Sequence, residues 1–138
     1  MTGRHLVIIL DTHVLIWWVN GSKQLSTAGK RVINKTLRNG EEILISSISA
    51  WEIAMLVKKN RLTLTMDVND WITTTAAIDG VRYIPIENAV AMQSVTLPGN
   101  FHSDPADRMI VALARHNSAP LVTADKRILK YEHVKTIW

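Results

Sequence analysis

The stretch Val7-Ile8-Ile9-Leu10-Asp11-Thr12 decides the fold that we expect for this chain. It is a short apolar run, rich in β-branched residues, that stops abruptly on a carboxylate. Such a run predicts a strand that is buried on both faces, as in a parallel sheet covered by helices. Asp11 then lies at the carboxyl end of the strand, which is the edge where open parallel sheets bind their ligands.

Predicted strands and helices alternate along the rest of the chain. Further apolar runs predict strands over residues 42–46, 82–86, 120–123 and 134–137. Apolar residues at helical spacing, together with capping residues, predict helices over 12–19, 26–38, 50–60, 67–78, 87–95 and 104–116, and one helical turn over 126–130. This alternation predicts the α/β class, as a three-layer α/β/α sandwich around a central parallel sheet of four to five strands. The length suits a single domain over residues 1–138.

The composition excludes several classes of protein. The chain has 138 residues, of which 47% are hydrophobic and 20% charged, and it has no cysteine. Disulfides and thiolate metal sites are therefore impossible. No apolar run approaches the roughly 18 residues that cross a bilayer, so we expect a cytoplasmic protein with no membrane contact. The net charge of +4 favours a polyanionic partner such as nucleic acid, although a solvated surface rich in lysine explains it equally well.

Acidic residues stand at the predicted strand ends and helix starts, namely Asp11, Glu52, Asp104, Asp107 and Asp125. Helix capping is a sufficient explanation for each one alone. Asp11, Asp104 and Asp125 directly precede predicted helices. Ser49 and Glu52 have the spacing of a capping box, and Asp107 falls in a first helical turn, where the helix dipole favours an acid.

The joint placement of these acids favours a metal site. If the strand order reverses between the first and fourth strands, Asp11 and Asp125 become neighbours in the crevice at that point. Glu52 and Asp107 can then lean in from the two sides. Clustered carboxylates repel one another unless a cation joins them, and oxygen ligands suit Mg²⁺ or Mn²⁺ better than Zn²⁺. Because the chain has no Gly-rich phosphate loop and no nucleophile elbow, we predict metal-assisted hydrolysis of phosphodiester bonds.

At these residues the sequence resembles PIN-domain proteins, specifically the VapC-type toxin ribonucleases of bacterial type II toxin–antitoxin systems. The matching stretches are Leu10-Asp11-Thr12-His13, Ser46 to Trp51-Glu52-Ile53, Asp104-Pro105-Ala106-Asp107-Arg108 with Ile110, Ala112 and Ala114, and Leu121-Val122-Thr123-Ala124-Asp125. The resemblance implies a PIN-like fold and a Mg²⁺-dependent endoribonuclease that cleaves RNA with a metal-activated water. It also implies a cognate antitoxin and a homodimer.

The resemblance assigns roles to the acids and to nearby polar residues. It implies that the catalytic residues are Asp11, Glu52, Asp107 and Asp125, with Asp104 as an additional metal ligand beside Asp11, Asp107 and Asp125. Small hydroxyl positions near the site are matched by Thr12, Ser46 and Thr123.

Several further residues have two readings each. Lys58 and Arg61 could contact RNA phosphates or simply end a solvated helix. Arg108 could bind a phosphate, but pairing with a carboxylate is the better interpretation. His13 and His102 are read as bystanders. Trp17, Trp18, Trp51 and Trp71 could stack on bases, but core or dimer-interface positions fit their apolar surroundings better.

Two alternatives to a toxin ribonuclease stay open from the sequence. One is a PIN nuclease with a housekeeping role in RNA maturation or decay. The other is a non-catalytic, protein-binding module of the same fold, in which the acids only cap helices and no metal binds.

Overall fold

One sheet of five parallel strands forms the centre of the structure, a computed structural model that describes residues 6–138. The strands are β1 (Val7–Leu10), β2 (Glu42–Ser46), β3 (Val81–Ile84), β4 (Leu121–Val122) and β5 (Thr136–Ile137). Their order in the sheet is β3-β2-β1-β4-β5. The predicted parallel sheet is therefore confirmed, with the higher of the two predicted strand numbers.

Helices connect every consecutive pair of strands, in the order that the sequence predicted. They are α1 (Thr12–Asn20), α2 (Thr27–Arg38), α3 (Ser47–Lys58), α4 (Val68–Ala76), α5 (Asn88–Val95), α6 (Pro105–His116) and α7 (Lys126–Leu129). Two helices lie between each consecutive pair among the first four strands, and α7 lies between β4 and β5. Within residues 6–138, no helix has both the length and the apolar character that crossing a membrane requires.

The strand order reverses at β1, as the predicted crevice requires. The chain runs outward from β1 through β2 to β3 and then returns to the other side of β1 to form β4 and β5. In the register of the sheet, Ile8 pairs with Ile43 of β2 and Leu10 pairs with Val122 of β4. The carboxyl ends of β1 and β4 are therefore neighbours at the point where crossovers leave in opposite directions, the usual ligand position in such sheets.

Side chains of the central strand point alternately into two separate apolar cores. Ile9 is fully buried on the face covered by α5, α6 and α7, with Leu44 and Leu121. Ile8 and Leu10 are buried on the opposite face, which α1 to α4 cover. Burial of each such side chain stabilises the fold by roughly 1.5–3 kcal/mol. Because both faces are covered, the three-layer α/β/α sandwich is confirmed.

The start of α3 differs from the prediction in a way that bears on function. The helix begins at Ser47, three residues before the predicted start, because the Ser46 hydroxyl accepts a hydrogen bond from the Ile48 amide at 3.2 Å. Ser49 lies inside the helix, fully buried, so the predicted capping box of Ser49 and Glu52 is wrong. Glu52 is the sixth residue of α3 and has no capping role.

Smaller differences occur at the ends of the short strands. β3 ends two residues before its predicted end, and β5 begins two residues after its predicted start. Both are edge strands with one neighbour each, so fewer residues meet a partner than the apolar pattern indicates.

Candidate active site

An acidic cleft opens at the carboxyl ends of β1 and β4. It has a volume of about 320 Å³, and its lining includes all five acids that the sequence singled out, Asp11, Glu52, Asp104, Asp107 and Asp125. His13, Trp17, Ala124 and Arg127 complete the lining. Residues more than 100 positions apart in the chain thus meet in one place, because the strand order brings β1 beside β4.

Asp11 is held rigidly at the end of β1. Its side chain is 7% exposed, and Oδ1 accepts a hydrogen bond from the Thr12 amide at 2.9 Å. Oδ2 accepts one from the Thr123 hydroxyl at 2.7 Å. The same hydroxyl accepts a hydrogen bond from the Asp125 amide at 3.0 Å. Thr123 therefore joins the end of β1 to the loop after β4 and fixes Asp11 relative to Asp125.

Glu52 is oriented by two hydroxyl groups. The Thr12 hydroxyl donates to Glu52 Oε1 at 2.5 Å and lies 2.8 Å from the Ser49 hydroxyl. Since Thr12 has one hydroxyl proton and gives it to the carboxylate, Ser49 donates to Thr12. This row of hydrogen bonds directs Glu52 from the side of α3 toward the cleft, where Asp11 and Asp104 act on its charge.

Capping explains some of the acids and leaves others without a structural role. The side chain of Asp11 is the N-cap of α1, that of Asp104 accepts from the Asp107 amide at 3.2 Å, and Asp125 Oδ1 accepts from two amides at the start of α7. Asp107 and Glu52 make no capping bond. Capping and ligation are also compatible, because Asp125 caps with Oδ1 while Oδ2 faces a cationic side chain.

The crowding of carboxylates shifts the pKa values of several of them. Burial, followed by the charges of Asp11, Asp104, Asp125 and Glu52, raises the pKa of Asp107 to about 7. Burial also raises the pKa of Asp11 and that of Glu52, against the hydrogen bonds from Thr123 and Thr12 that lower them. The cleft therefore carries an excess of negative charge that a cation would relieve.

Two basic side chains lie against these acids. Arg127 Nη2 is 3.6 Å from Asp107 Oδ2 and 3.6 Å from Asp125 Oδ2. His102 Nε2 is 3.1 Å from Asp107 Oδ2 and is buried without a hydrogen-bond partner among the described residues, so His102 lies beside the acids while its part in proton transfer stays a prediction. Arg127 was not among the predicted site residues, although the sequence contains a signal for it. A cation in the first turn of a helix opposes the helix dipole, which indicates a nearby acidic partner.

None of the six predicted substrate-binding residues lines the cleft: Thr12 and Thr123 are buried behind its acids, and the other four lie elsewhere. The Ser46 side chain caps the start of α3. Lys58 is the last residue of that helix, Arg61 lies three residues beyond it, and both are exposed. Lys58 lies roughly 9 Å along the helix axis from Glu52 at 1.5 Å per residue. Arg108 is neither paired with a carboxylate nor directed at the cleft.

The Arg108 guanidinium instead holds the loop before α6. It donates to the backbone carbonyls of Ser94, Phe101 and His102 at 2.8–3.2 Å and to that of Val95 at 3.4 Å. The expected carboxylate partner was wrong because carbonyls at the end of α5 and in the loop before α6 accept the bonds of this planar group of donors.

The donors of the cleft fit a divalent metal by their chemistry. All are carboxylate oxygens, apart from the imidazoles of His13 and His102, and oxygen ligands suit Mg²⁺ or Mn²⁺. In the present side-chain positions, no three Asp, Glu or His residues of the described chain are grouped closely enough to hold one ion. Mutual repulsion and the contacts of Arg127 give a physical reason for this spacing.

The family that this architecture represents follows from comparison with known proteins. A model of the PIN domain family matches residues 8–134, nearly the whole chain. This chain belongs to the PIN domain family. Ribonuclease VapC22 of Mycobacterium tuberculosis (strain ATCC 25618 / H37Rv) is 35% identical over 133 residues, which cover 95% of this chain and 98% of that relative. The resemblance to VapC-type PIN proteins is therefore confirmed.

Solved structures share the PIN fold of this chain. VapBC2 from Rickettsia felis, bound to a DNA fragment from its promoter, matches with a TM-score of 0.69 at 15% identity, over 95% of this chain and 97% of the other. DNA-bound VapBC from Salmonella typhimurium matches with a TM-score of 0.64 at 15% identity, over 95% and 96%. A toxin–antitoxin complex from Klebsiella pneumoniae matches with a TM-score of 0.60 at 22% identity, over 92% and 94%.

Neutralising Asp107 should stabilise the metal-free PIN domain at alkaline pH. With its pKa raised to about 7 in the fold, Asp107 binds a proton more readily folded than unfolded. The free energy of unfolding then falls as pH rises from about 4 to 7 and levels off above that. We expect Asp107→Asn to reduce this decline, to which the raised pKa values of Asp11 and Glu52 also contribute, and to gain about 1–3 kcal/mol at pH 8, measured by urea denaturation in EDTA.

Asp79→Asn is the matched control, since Asp79 is an exposed carboxylate outside the cleft. Asp79→Asn should change the free energy of unfolding by less than about 0.5 kcal/mol over the same pH range and at pH 8. Destabilisation by Asp107→Asn at pH 8 would instead mean that Asp107 serves the fold through His102 and Arg127.

Proposed function

We propose that this PIN-domain protein is a Mg²⁺-dependent endoribonuclease, with Mn²⁺ able to substitute, and that it acts in the cytoplasm as the toxin of a toxin–antitoxin pair. The observation that carries the proposal is the meeting of five carboxylates in one cleft, where burial and like charge raise the pKa of Asp107 to about 7. RNA as the substrate is supported by the ribonuclease name of the 35% identical relative.

The acids of the cleft divide into ligands and a proton acceptor. Asp11, Asp107 and Asp125, with Asp104 beside them, would hold the cation. When bound, the cation supplies Lewis-acid activation of water and of the scissile phosphate. The rigid placement of Asp11 by Thr12 and Thr123 means that this ligand needs little reordering.

Glu52 is suited to move a proton. Burial raises its pKa above that of an exposed glutamate, which makes it a better acceptor of the proton of an attacking water. The Thr12 hydroxyl holds Oε1 in place. Thr12 and Thr123 therefore serve as positioning residues, while His13 and Trp17 line the cleft and can face the nucleotides beside the scissile phosphate.

The residues outside the cleft have more distant roles in this proposal. Lys58 and Arg61 are exposed cations that can attract the RNA backbone along α3. Ser46 and Arg108 act through the fold, by capping α3 and by holding the loop before α6.

A protein partner is part of the same proposal. The similar structures include VapBC assemblies and a complex described as toxin–antitoxin, which supports an antitoxin for this chain. Large apolar side chains stand exposed on α3 and α5, with Trp51 58%, Met92 70% and Val95 74% exposed. An antitoxin or a second copy in a homodimer could cover such side chains. Of the two positions predicted for Trp51, its exposure contradicts the core and leaves the dimer interface as a prediction.

Removing single carboxylates should abolish RNA cleavage while the protein stays folded. We expect Asp11→Asn, Glu52→Gln and Asp125→Asn each to lower the cleavage rate at least about 100-fold, because each removes a few kcal/mol of transition-state stabilisation. The measurement is cleavage of labelled RNA in Mg²⁺ and in EDTA, with circular dichroism as the test of folding. Asp79→Asn should cleave like the parent; retained activity in all three cleft variants would overturn the nuclease proposal.

Metal uptake should depend on the same carboxylates. Calorimetric titration with Mn²⁺ should show binding to the parent protein and at least tenfold weaker binding to Asp11→Asn, since one of few charged ligands is lost. Equal heats for the two proteins, or no heat for either, would favour a protein-binding module whose acids only cap helices.

Expression of the toxin alone should arrest growth. We expect arrest on induction of the parent gene and none on induction of Asp11→Asn at equal protein level, because only the parent cleaves RNA. Sequencing of RNA ends after induction should reveal cuts that the variant lacks. Arrest by the variant would separate toxicity from cleavage.

A further inference from the structure

Arg127 occupies an unusual place in the acidic cleft. Its guanidinium is equidistant, at 3.6 Å, from carboxylate oxygens of Asp107 and Asp125, two of the acids that would hold the metal. The side chain remains 60% exposed, so solvent and neighbouring space are open to it. The guanidinium thus stands where positive charge is needed, without being locked there by burial.

A second cavity adjoins the acidic cleft, and Arg127 lines both. It has a volume of about 400 Å³ and lies between the loop 99–102 and the segment 127–133. Lys130 and His133 supply further basic groups to its lining, and Glu132, the acid there, is 86% exposed and lies 3.5 Å from His133. We call this space the basic cavity.

The walls of the basic cavity are built from packed aromatic rings. Phe101 packs against Tyr131 at a centroid distance of 4.7 Å, and Tyr131 packs against His133 at 5.3 Å. The Tyr131 hydroxyl donates to the Pro98 carbonyl, which joins the two segments that form the cavity. Basic groups on such a fixed wall suit an anionic ligand such as a phosphate group.

The two cavities differ in charge and share one exposed cation, Arg127. A divalent ion among the carboxylates carries twice the charge of a guanidinium and forms closer contacts with oxygen. Arg127 and such an ion cannot occupy the space between Asp107 and Asp125 together. The nearest alternative site for the exposed guanidinium, among the spaces that it already lines, is the basic cavity.

We propose that Arg127 is a phosphate-binding residue that the acidic cleft holds as an internal counter-ion until metal binds. In the metal-free protein Arg127 neutralises Asp107 and Asp125. On metal binding it leaves them and, in the basic cavity, binds the RNA phosphate next to the scissile one, with Lys130 beside it. The inference rests on the proposed nuclease function and adds that metal and RNA binding are coupled through Arg127.

The first test measures metal affinity and needs no activity. Mn²⁺ is titrated calorimetrically into the parent protein, Arg127→Gln and the matched control Lys130→Gln. Arg127→Gln should bind Mn²⁺ about 5–50-fold more tightly, because no internal cation competes, whereas Lys130→Gln should stay within about twofold of the parent. Unchanged affinity in Arg127→Gln would overturn the internal counter-ion.

The second test measures RNA binding in the Glu52→Gln background, which keeps the proposed metal ligands and lacks the proposed proton acceptor. Fluorescence anisotropy with a labelled single-stranded RNA should show tighter binding in Mg²⁺ than in EDTA. Arg127→Gln should lose at least about fivefold of that Mg²⁺-dependent gain. Lys130→Gln should weaken binding by the same factor in both conditions and lower the slope of log affinity against log salt by about 1.

The outcomes separate this inference from the function on which it rests. A full Mg²⁺-dependent gain in Arg127→Gln would overturn the inference and leave the nuclease in place. A parent protein that takes up no Mn²⁺ would overturn both. Circular dichroism of Arg127→Gln checks that the short helix α7 is intact.

Discussion

The Thr123 hydroxyl makes the contact on which the geometry of the acidic cleft depends. It donates to Asp11 at the end of β1 and accepts from the amide of Asp125 after β4. These strands are neighbours only because the sheet order reverses at β1. A single side chain thus converts a topological feature of the sheet into a fixed spacing between two carboxylates. Thr12 does the same for the α3 side, where its hydroxyl holds Glu52.

The second constraint is the electrostatic cost of this arrangement. Five carboxylates in one cleft oppose one another's ionisation, and Asp107 shows it most clearly with a pKa of about 7. Arg127 offsets part of that cost from one side. A protein that needed only helix caps would have no reason to gather acids in this way, since Glu52 and Asp107 cap nothing. Functional sites commonly lower the stability of the fold in this way, because their residues serve binding or catalysis and not folding.

The sequence predicted the fold and the acidic set well because both follow from local patterns. Apolar runs followed directly or within a few residues by an acid predicted β1 and β4, and alternating strands and helices predicted a parallel sheet. The N-cap of α3 was harder to predict, because several serines lie close together where the helix starts. Ser46 is the cap, whereas the Ser49 hydroxyl lies inside the helix and contacts Thr12, a partner that the local sequence does not reveal.

The basic residues were predicted poorly for a different physical reason. Long basic side chains can contact residues that are distant in the sequence, so their partners cannot be predicted from their sequence neighbours. Arg108 follows Asp107 directly and yet donates to carbonyls of a loop that ends several residues earlier. Arg127 was missed although the helical turn that carries it was predicted, because nothing in that turn shows that its side chain reaches back to Asp107, twenty residues earlier in the chain.

The central claim is that these carboxylates share a divalent cation, and X-ray diffraction from crystals grown with Mn²⁺ tests it most directly. Anomalous difference maps should show a peak within bonding distance of Asp11 and of at least one of Asp107 and Asp125, with the Arg127 guanidinium moved away from both of the latter. Crystals saturated with Mn²⁺ that show no peak in the cleft, with Arg127 still between Asp107 and Asp125, would contradict the account.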